Sequence, residues 1–477
     1  MSGERVVVVG SGMAATRLVE ELVARRTGHH VTVLGDEPHA PYNRILLSAV
    51  LEGTHSRAAL TLRTAGWYAE QGVDLRLGAR VLDVDRDARE VMLVDGTRLG
   101  YDRLVLATGS VPTLPPIRGL VRVDGRLHDA VHAFRSLDDC DRLDAAVTSG
   151  STGSTHGAVR RAVVVGGGLL GLQVARALGV RGLAVEVVEG GEHLLRSQVD
   201  AKAGAIIARD LRRLGVTVYT GARAVRLDDA GLVLDNGYTL ETDLVVLTAG
   251  GRPSTALARR AGLTVRRGIV VDDRLRSVAD ERVHAVGDCA EHGGRTTGFV
   301  PPAWEQAALV AAHLAGEDVT YAGTRSVARL RATGLEVAVL GDPQATGGEV
   351  VEVTNPVVGS HRRLVVRDGR IVAGTLVGDL SRIGLITQHY DRGTVLGPTE
   401  PGLLLMPDRA TAAAVPVLPD DAEVCACAGV SAGAVRACAS LEEARQTTRA
   451  TTGCGGCSAA VRLLLAARTA PLEGTPR

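Results

Sequence analysis

Four cysteines toward the C-terminal end are the residues best spaced for chemistry: Cys425-Ala-Cys427, then 26 residues, then Cys454-Gly-Gly-Cys457. Two close thiolate pairs can converge on one centre, and both iron–sulfur clusters and structural zinc favour such ligands. Gly453, Gly455 and Gly456 leave backbone N–H groups free to approach bridging sulfides, which adjusts a cluster's potential. Zinc ribbons pair Cys-x2-Cys with Cys-x2-Cys, whereas one residue separates the first pair here. The pattern therefore favours a 2Fe–2S cluster over zinc, with a disulfide pair the least favoured reading. Cys438 lies outside both pairs and reads as a small core residue. Ser440-Leu-Glu-Glu443, between the pairs, fits a capping box opening a short helix.

A second chemistry, the binding of pyrophosphate, is written twice. The apolar run Val6–Val9 leads into Gly10-Ser-Gly12-Met-Ala-Ala15 and then the periodic segment Thr16–Val23, a strand, tight turn and helix. Glycines at these places let the backbone approach a pyrophosphate seated on the helix N-terminus, and Ala15 stands where a third glycine is common. The next strand, His30–Leu34, is followed by Asp36-Glu37, where a carboxylate can hold adenosine ribose hydroxyls. The second copy runs from Ala162–Val165 through Gly166-Gly-Gly168-Leu-Leu-Gly171 and a helix ending near Leu178. Its second strand, Ala184–Val188, ends on Glu189, 18 residues after Gly171, and no arginine directly follows. A carboxylate there accepts from a free 2′-OH and repels a 2′-phosphate, which favours NADH over NADPH.

Composition narrows the setting. At 477 residues the chain has room for three or four domains. Lys+Arg and Asp+Glu balance at 54 each, which gives no nucleic-acid footprint. Seven cysteines, an odd number, argue for a reducing compartment rather than a disulfide scaffold. Val6–Val9 is too short for a signal peptide or a membrane span. A soluble, cytoplasmic protein that binds neither nucleic acid nor membrane is the expectation.

Two further segments place the fingerprints in one arrangement. Leu104–Leu106 with Ala107-Thr108-Gly109 resembles the strand-turn closing the flavin domain of two-dinucleotide-binding-domain flavoproteins. Val283-His-Ala-Val-Gly287-Asp288 resembles their second FAD motif, in which the aspartate contacts the ribityl chain. The order fingerprint, Ala-Thr-Gly, fingerprint, Gly-Asp is the layout of an NAD domain inserted into a split FAD domain. The disulfide-reductase branch of these proteins carries an early cysteine pair. Here the first cysteine is Cys140, so a dithiol relay is excluded.

Pro41-Tyr-Asn-Arg44-Ile-Leu-Leu-Ser48 instead resembles a segment of the ferredoxin-reductase, apoptosis-inducing-factor and nitrite-reductase group, and by that resemblance Arg44 contacts the FAD phosphates or adenine side. From Met1 to about Leu405 the chain resembles the N-terminal half of NADH-dependent nitrite reductase large subunits. It equally resembles the electron-transfer subunit of bacterial assimilatory nitrate reductase; His284–His292 and Pro302-Ala-Trp304-Glu-Gln-Ala carry the match with Tyr42–Ser48. Gln173 departs from it, a glutamate standing there in those relatives. Trp304 is read either as flanking the flavin ring or as core, and Val81 joins the candidate cofactor contacts. Cys425–Ala467, opening Cys-x-Cys-x-Gly-Val-Ser, resembles the bacterioferritin-associated-ferredoxin type of 2Fe–2S domain.

The resemblance implies an α/β fold of two Rossmann-like units, an α+β interface domain and a small helical cluster domain. The expected boundaries are 1–120 and 253–320 for FAD, 121–252 for NAD, 321–408 for the interface, 409–422 for a linker and 423–470 for the cluster. Within the interface, Arg362–Val366 and Ile371–Val377 around Asp368-Gly369 predict a hairpin. The implied activity is hydride transfer from NADH to FAD and single-electron exit through the cluster to a redox partner protein, foremost a molybdenum nitrate reductase. A ferredoxin or rubredoxin reductase, a nitrite reductase component, and an iron–sulfur sensor or assembly module are the alternatives. No general-base constellation is visible and hydride transfer needs none. Sirohaem chemistry would need a further cysteine set, and only Cys140, Cys289 and Cys438 remain.

Overall fold

Val6–Val9 is buried throughout, as a run without apolar–polar alternation must be, and it occupies the middle of a parallel array. In this computed structural model the described residues are 3–149, 159–325, 327–332, 335–342, 347–406, 418–425, 428–452 and 457–467. Arg5–Val9 pairs in parallel with His30–Leu34 on one side and Arg103–Leu106 on the other. Asp74–Arg76 extends one flank and Asp280–Ala285 the other, within a nine-stranded sheet that ends in Arg295–Thr296. The chain therefore leaves this sheet after Leu106 and returns to it from Ile269 onward. Helix Met13–Ala24 buries Leu18, Val19 and Leu22 beneath it and packs beside helix Val300–Leu314.

The intervening stretch builds a five-stranded parallel sheet in the order Thr217–Thr220, Ala184–Glu189, Arg161–Val165, Leu244–Leu247, Val131–Ala133. Helix Leu169–Val180 follows its central strand, as the second fingerprint requires. Two short antiparallel strands, Ser110–Pro112 and Gly251–Pro253, mark where the chain passes between the sheets. Both fingerprints thus lie on strand–turn–helix units of doubly wound parallel sheets, the fold class the sequence implies.

A third sheet, antiparallel, follows with the order Val327–Ala332, Leu335–Gly341, Arg370–Val377, Ser360–Arg367, Glu349–Asn355. Its hairpin turns at Asp368 (φ +50°) and Gly369 (φ +69°), the two consecutive positive angles of a type I′ turn. The sheet meets the second nucleotide unit through His361, whose ring bonds Asp200 Oδ2 at 2.9 Å and Thr354 Oγ1 at 2.8 Å. Beyond it, a small unit contains strands Glu423–Cys425 and Val430–Ser431 and helices Ala432–Arg436, Leu441–Thr448 and Ser458–Ala467. Ser440 caps its second helix by accepting from the Glu443 N–H at 3.1 Å, while Glu443 reaches back to the Ala439 N–H at 2.6 Å. The insertion expected at 150–157, most of the linker, Cys427 and Cys454 lie outside the described residues. Among the described residues no helix is long and apolar enough to cross a membrane.

Candidate cofactor cavity and cysteine site

Each fingerprint glycine has a different physical job. Gly10 adopts φ +112°, and a Cβ on it would lie 2.3 Å from the Ala107 carbonyl oxygen. The first turn and the Ala107-Thr108-Gly109 turn are therefore in backbone contact, which only glycine allows. Gly166 repeats this at φ +119°, with Thr248 O at 2.5 Å. Gly171 packs so closely on its own turn that a Cβ would meet Gly166 O at 2.0 Å. Gly12 and Gly168, by contrast, have nothing within 4 Å of a built Cβ. Each caps a helix whose first N–H groups have no side-chain acceptor, and both line a common cavity. That is an open cradle for an anion at a positive helix end.

The cavity has a volume of about 2220 Å³ and is continuous across both nucleotide units. Asp36, Glu37, Arg44, Val81, Thr108, Gly109, Gly287 and Asp288 line it on the first unit, and Glu189 on the second. Ala15 is buried beneath its helix. Asp36 is largely exposed, 3.7 Å from Arg80. Glu37 is occupied: it pairs with Arg44 and accepts from the Tyr42 hydroxyl at 2.7 Å. Burial is the largest influence on the Tyr42 phenol, pushing it well above its usual range. Arg44 also stacks on the Tyr42 ring, 4.7 Å from its centroid. Asp288 Oδ2 accepts from Ser110 Oγ at 2.7 Å and from Arg135 at 3.0 Å. The Gly287 N–H donates to Gln306 at 2.8 Å, fixing that turn at φ +76°.

In the second unit, Glu189 accepts from the Gly167 N–H at 2.7 Å and the Gly191 N–H at 2.6 Å. Two arginines distant in sequence flank it. Arg196 lies 4.0 Å from its carboxylate, and Arg223 packs over Gly190. Between the units, Ser48 Oγ donates to Gln173 Oε1 at 3.2 Å, and both side chains line the cavity.

The same cavity reaches Cys425 and Cys457. Both are buried in one apolar cluster with Val435, Ala444 and Val461, and Cys438 belongs to the same core. Cys438 Sγ contacts Ala434 O at 3.3 Å and Thr447 Oγ1 at 3.4 Å, consistent with a core residue. The Thr451 N–H donates to Cys457 Sγ at 3.2 Å. Two buried sulfurs in one small core, one of them already receiving an amide N–H, suit a thiolate-ligated cluster. Trp304 is not among the cavity-lining residues. It is buried within this cysteine core, and its Nε1 donates to Met13 O at 3.2 Å. Of the two readings of Trp304, the packing role is the one observed.

Sequence reasoning missed Arg135, Arg196, Arg223, Asn43, Glu20 and Arg449. Five carry no motif and are brought in by the fold alone. Asn43 lies within the Tyr42–Ser48 segment, and its side chain donates to the Thr452 carbonyl of the cysteine unit.

A doubly wound pair of nucleotide sites sharing one cavity defines a two-dinucleotide oxidoreductase. Residues 4–308 match the pyridine nucleotide-disulphide oxidoreductase family, and the chain belongs to it. It is thus an NAD(P)H-dependent oxidoreductase, without the early dithiol of that family's disulfide reductases. The chain is 34% identical to the NAD(P)H nitrite reductase of Bacillus subtilis (strain 168) over 98% of its own length and 58% of that relative's. It is 30% identical to the assimilatory nitrate reductase electron transfer subunit of the same organism, over 98% of this chain and 60% of that one. The chain therefore spans about three fifths of these curated relatives. Among solved structures, the covalent putidaredoxin reductase–putidaredoxin complex matches with TM-score 0.75 and 27% identity, covering 85% of this chain and 96% of that one.

Proposed function

We propose that this chain oxidises NADH through FAD and passes single electrons by a 2Fe–2S cluster to a separate catalytic protein, foremost a molybdenum nitrate reductase. The observation that carries this reading is the single cavity running from both fingerprint turns to the buried Cys425 and Cys457. The expected unit boundaries, 1–120 with 253–320, 121–252, 321–408, 409–422 and 423–470, are retained with this reading. Bound FAD supplies the chemistry that accepts an electron pair and releases electrons one at a time.

The side chains do the holding. Gly10, Gly12 and the helix they open would seat the FAD pyrophosphate, with Asp36 beside the ribose and Arg44 fixed by Glu37 at the adenine side. Asp288, oriented by Arg135 and Ser110, would meet the ribityl chain. Gly166, Gly168 and Glu189 would seat NADH, and the Ser48–Gln173 bond spans the gap where the two cofactors meet. No base is required, because hydride transfer depends on the two rings being held face to face. Cys425, Cys427, Cys454 and Cys457 would hold the cluster. The relatives named as nitrite reductase and nitrate reductase electron transfer subunit support a nitrogen-oxyanion partner.

Anaerobically purified protein should hold about two iron and two sulfide per chain beside one FAD. Cys454→Ser in the full chain should abolish iron, retain FAD and NADH-driven flavin bleaching, and stop NADH oxidation by the partner. Stoichiometric zinc without iron, or unchanged partner activity in Cys454→Ser, would refute the assignment.

A further inference from the structure

Residues 449–452 form the turn after helix Leu441–Thr448, and the backbone there is unusual. Arg449 (φ +63°) and Thr451 (φ +69°) both occupy the left-handed region, and neither is glycine. For a β-branched residue this is a steric outlier, and such a backbone persists only where its surroundings over-determine it. Much of that restraint comes from the opposite end of the chain.

Arg449 is almost fully buried and pairs with Glu20 of helix Met13–Ala24, which also takes Arg63 at 2.7 Å. Its guanidinium lies 5.4 Å from the Trp304 ring centroid, and Arg17 approaches the same ring at 5.9 Å. Asn43, itself buried, donates to the Thr452 carbonyl. Within the unit, Arg445 Nε donates to Thr451 Oγ1 at 3.1 Å and the Thr452 hydroxyl to Arg449 O at 2.8 Å. The product of these restraints is one aimed group: the Thr451 N–H, 3.2 Å from Cys457 Sγ.

We infer that Arg449 is a positioning residue for Cys457, locking against Glu20 and Trp304 a strained turn whose Thr451 amide donates to the cysteine sulfur. The first nucleotide unit thereby sets the electrostatics of a thiolate in the cysteine unit. This rests on reading Cys457 as a cluster ligand. An N–H donor to a ligand sulfur favours the more negative, reduced cluster, so the turn holds the potential up. The neighbouring unit supplies what the local sequence does not: a backbone geometry that residues 449–452 would not adopt unaided.

The experiment uses the full chain loaded with FAD and iron, in wild-type, Arg449→Met, Arg449→Lys and Thr451→Gly forms. Redox titration followed by electron paramagnetic resonance reads the cluster midpoint, and visible absorption reads the flavin midpoint in the same sample. Arg449→Met should lower the cluster midpoint and leave the flavin's in place. Arg449→Lys, which keeps the charge but loses the planar fork, should give a smaller downward shift. Thr451→Gly accepts φ +69° without strain, so it should hold the wild-type midpoint. Hydrogen exchange at the Thr451 amide, which needs no iron, should quicken in Arg449→Met and Arg449→Lys and stay protected in Thr451→Gly. A cluster midpoint and a Thr451 exchange rate both unmoved in the Arg449 variants would overturn the inference. If wild-type protein binds no iron, the proposed function fails, and the exchange measurement alone decides whether Arg449 positions the turn.

Discussion

Replacing Glu189 with glutamine tests the nicotinamide site where the structure adds most to the sequence. The sequence places no arginine directly after Glu189, yet the fold brings Arg196 to 4.0 Å and seats Arg223 over Gly190. The site therefore already contains the cations that a 2′-phosphate would need, and the carboxylate stands against them. A carboxylate and a phosphate charge about 5 Å apart repel by about 2–3 kcal/mol at an effective dielectric of roughly 20–30. Removing the charge should raise kcat/KM for NADPH by roughly thirty- to two-hundredfold, at about 1.4 kcal/mol per tenfold. NADH should lose only about 1 kcal/mol, since an amide oxygen can still accept from a ribose hydroxyl. A glutamine can satisfy only one of the Gly167 and Gly191 N–H groups, and some of the NADH loss will come from that. The assay is NADH and NADPH oxidation by wild-type and Glu189→Gln protein with a one-electron dye as acceptor. A wild-type preference for NADPH, or a ratio that the substitution leaves unmoved, would refute the reasoning.

Other expectations follow from single contacts. Gly10→Ala puts a methyl 2.3 Å from the Ala107 carbonyl at φ +112°, so the protein should purify with little FAD, read from its absorption spectrum. Asp288→Ala leaves Arg135 without its carboxylate and should weaken FAD retention during dialysis, while Asp288→Asn should keep more of it. Glu20→Gln strips the charge that balances buried Arg449 and Arg63 and should destabilise the cysteine unit by about 3 kcal/mol, seen as an earlier first thermal transition. Burial alone would raise the Asp200 pKa, but bonds from His361 and the Ala203 N–H outweigh it and hold the group at about 2, below the ordinary 3.8. A depressed carboxylate stabilises above its unfolded pKa and ceases to as pH falls through the folded value. The contact between the antiparallel sheet and the second nucleotide unit should therefore weaken from about pH 4 toward pH 2, by about 2 kcal/mol in all. His361→Ala should remove most of that dependence in acid unfolding followed by circular dichroism.

What could be read in the sequence was whatever depends on neighbours in the chain. Gly10, Gly12, Gly166, Gly168 and Gly171 mark turns whose geometry is set within a few residues, so both parallel sheets were foreseeable from them. The Asp368-Gly369 hairpin and the Ser440 cap were local in the same way. Arg135, Arg196 and Arg223 were invisible for the opposite reason. Each reaches its carboxylate or turn through a tertiary fold, and arginine is so common in this chain that no single one carries a signal. Trp304 belongs to both classes: its motif was visible, but its neighbours come from the last fifty residues.

The placement of Trp304 changes how the cysteine unit should be pictured. A unit joined only by residues 409–422 would share no core with the rest of the chain, and cutting the join would release it. Here Trp304 contributes to the cysteine core, Glu20 neutralises Arg449, and Asn43 bonds the Thr452 carbonyl. Three elements far apart in sequence thus grip one turn, and two of those contacts are buried polar bonds that lose their partners on separation. Such groups cost about 1–3 kcal/mol each when left unsatisfied, more for the charge, so docking should survive loss of the covalent join. With a protease site engineered at Ala412, the cleaved piece should co-elute with the body in gel filtration, and electron transfer to the partner should persist. Introducing Arg449→Met into the cleaved protein should then separate the two pieces. Release of the piece from cleaved wild-type protein would show that the contacts seen around Trp304 are too weak to hold it.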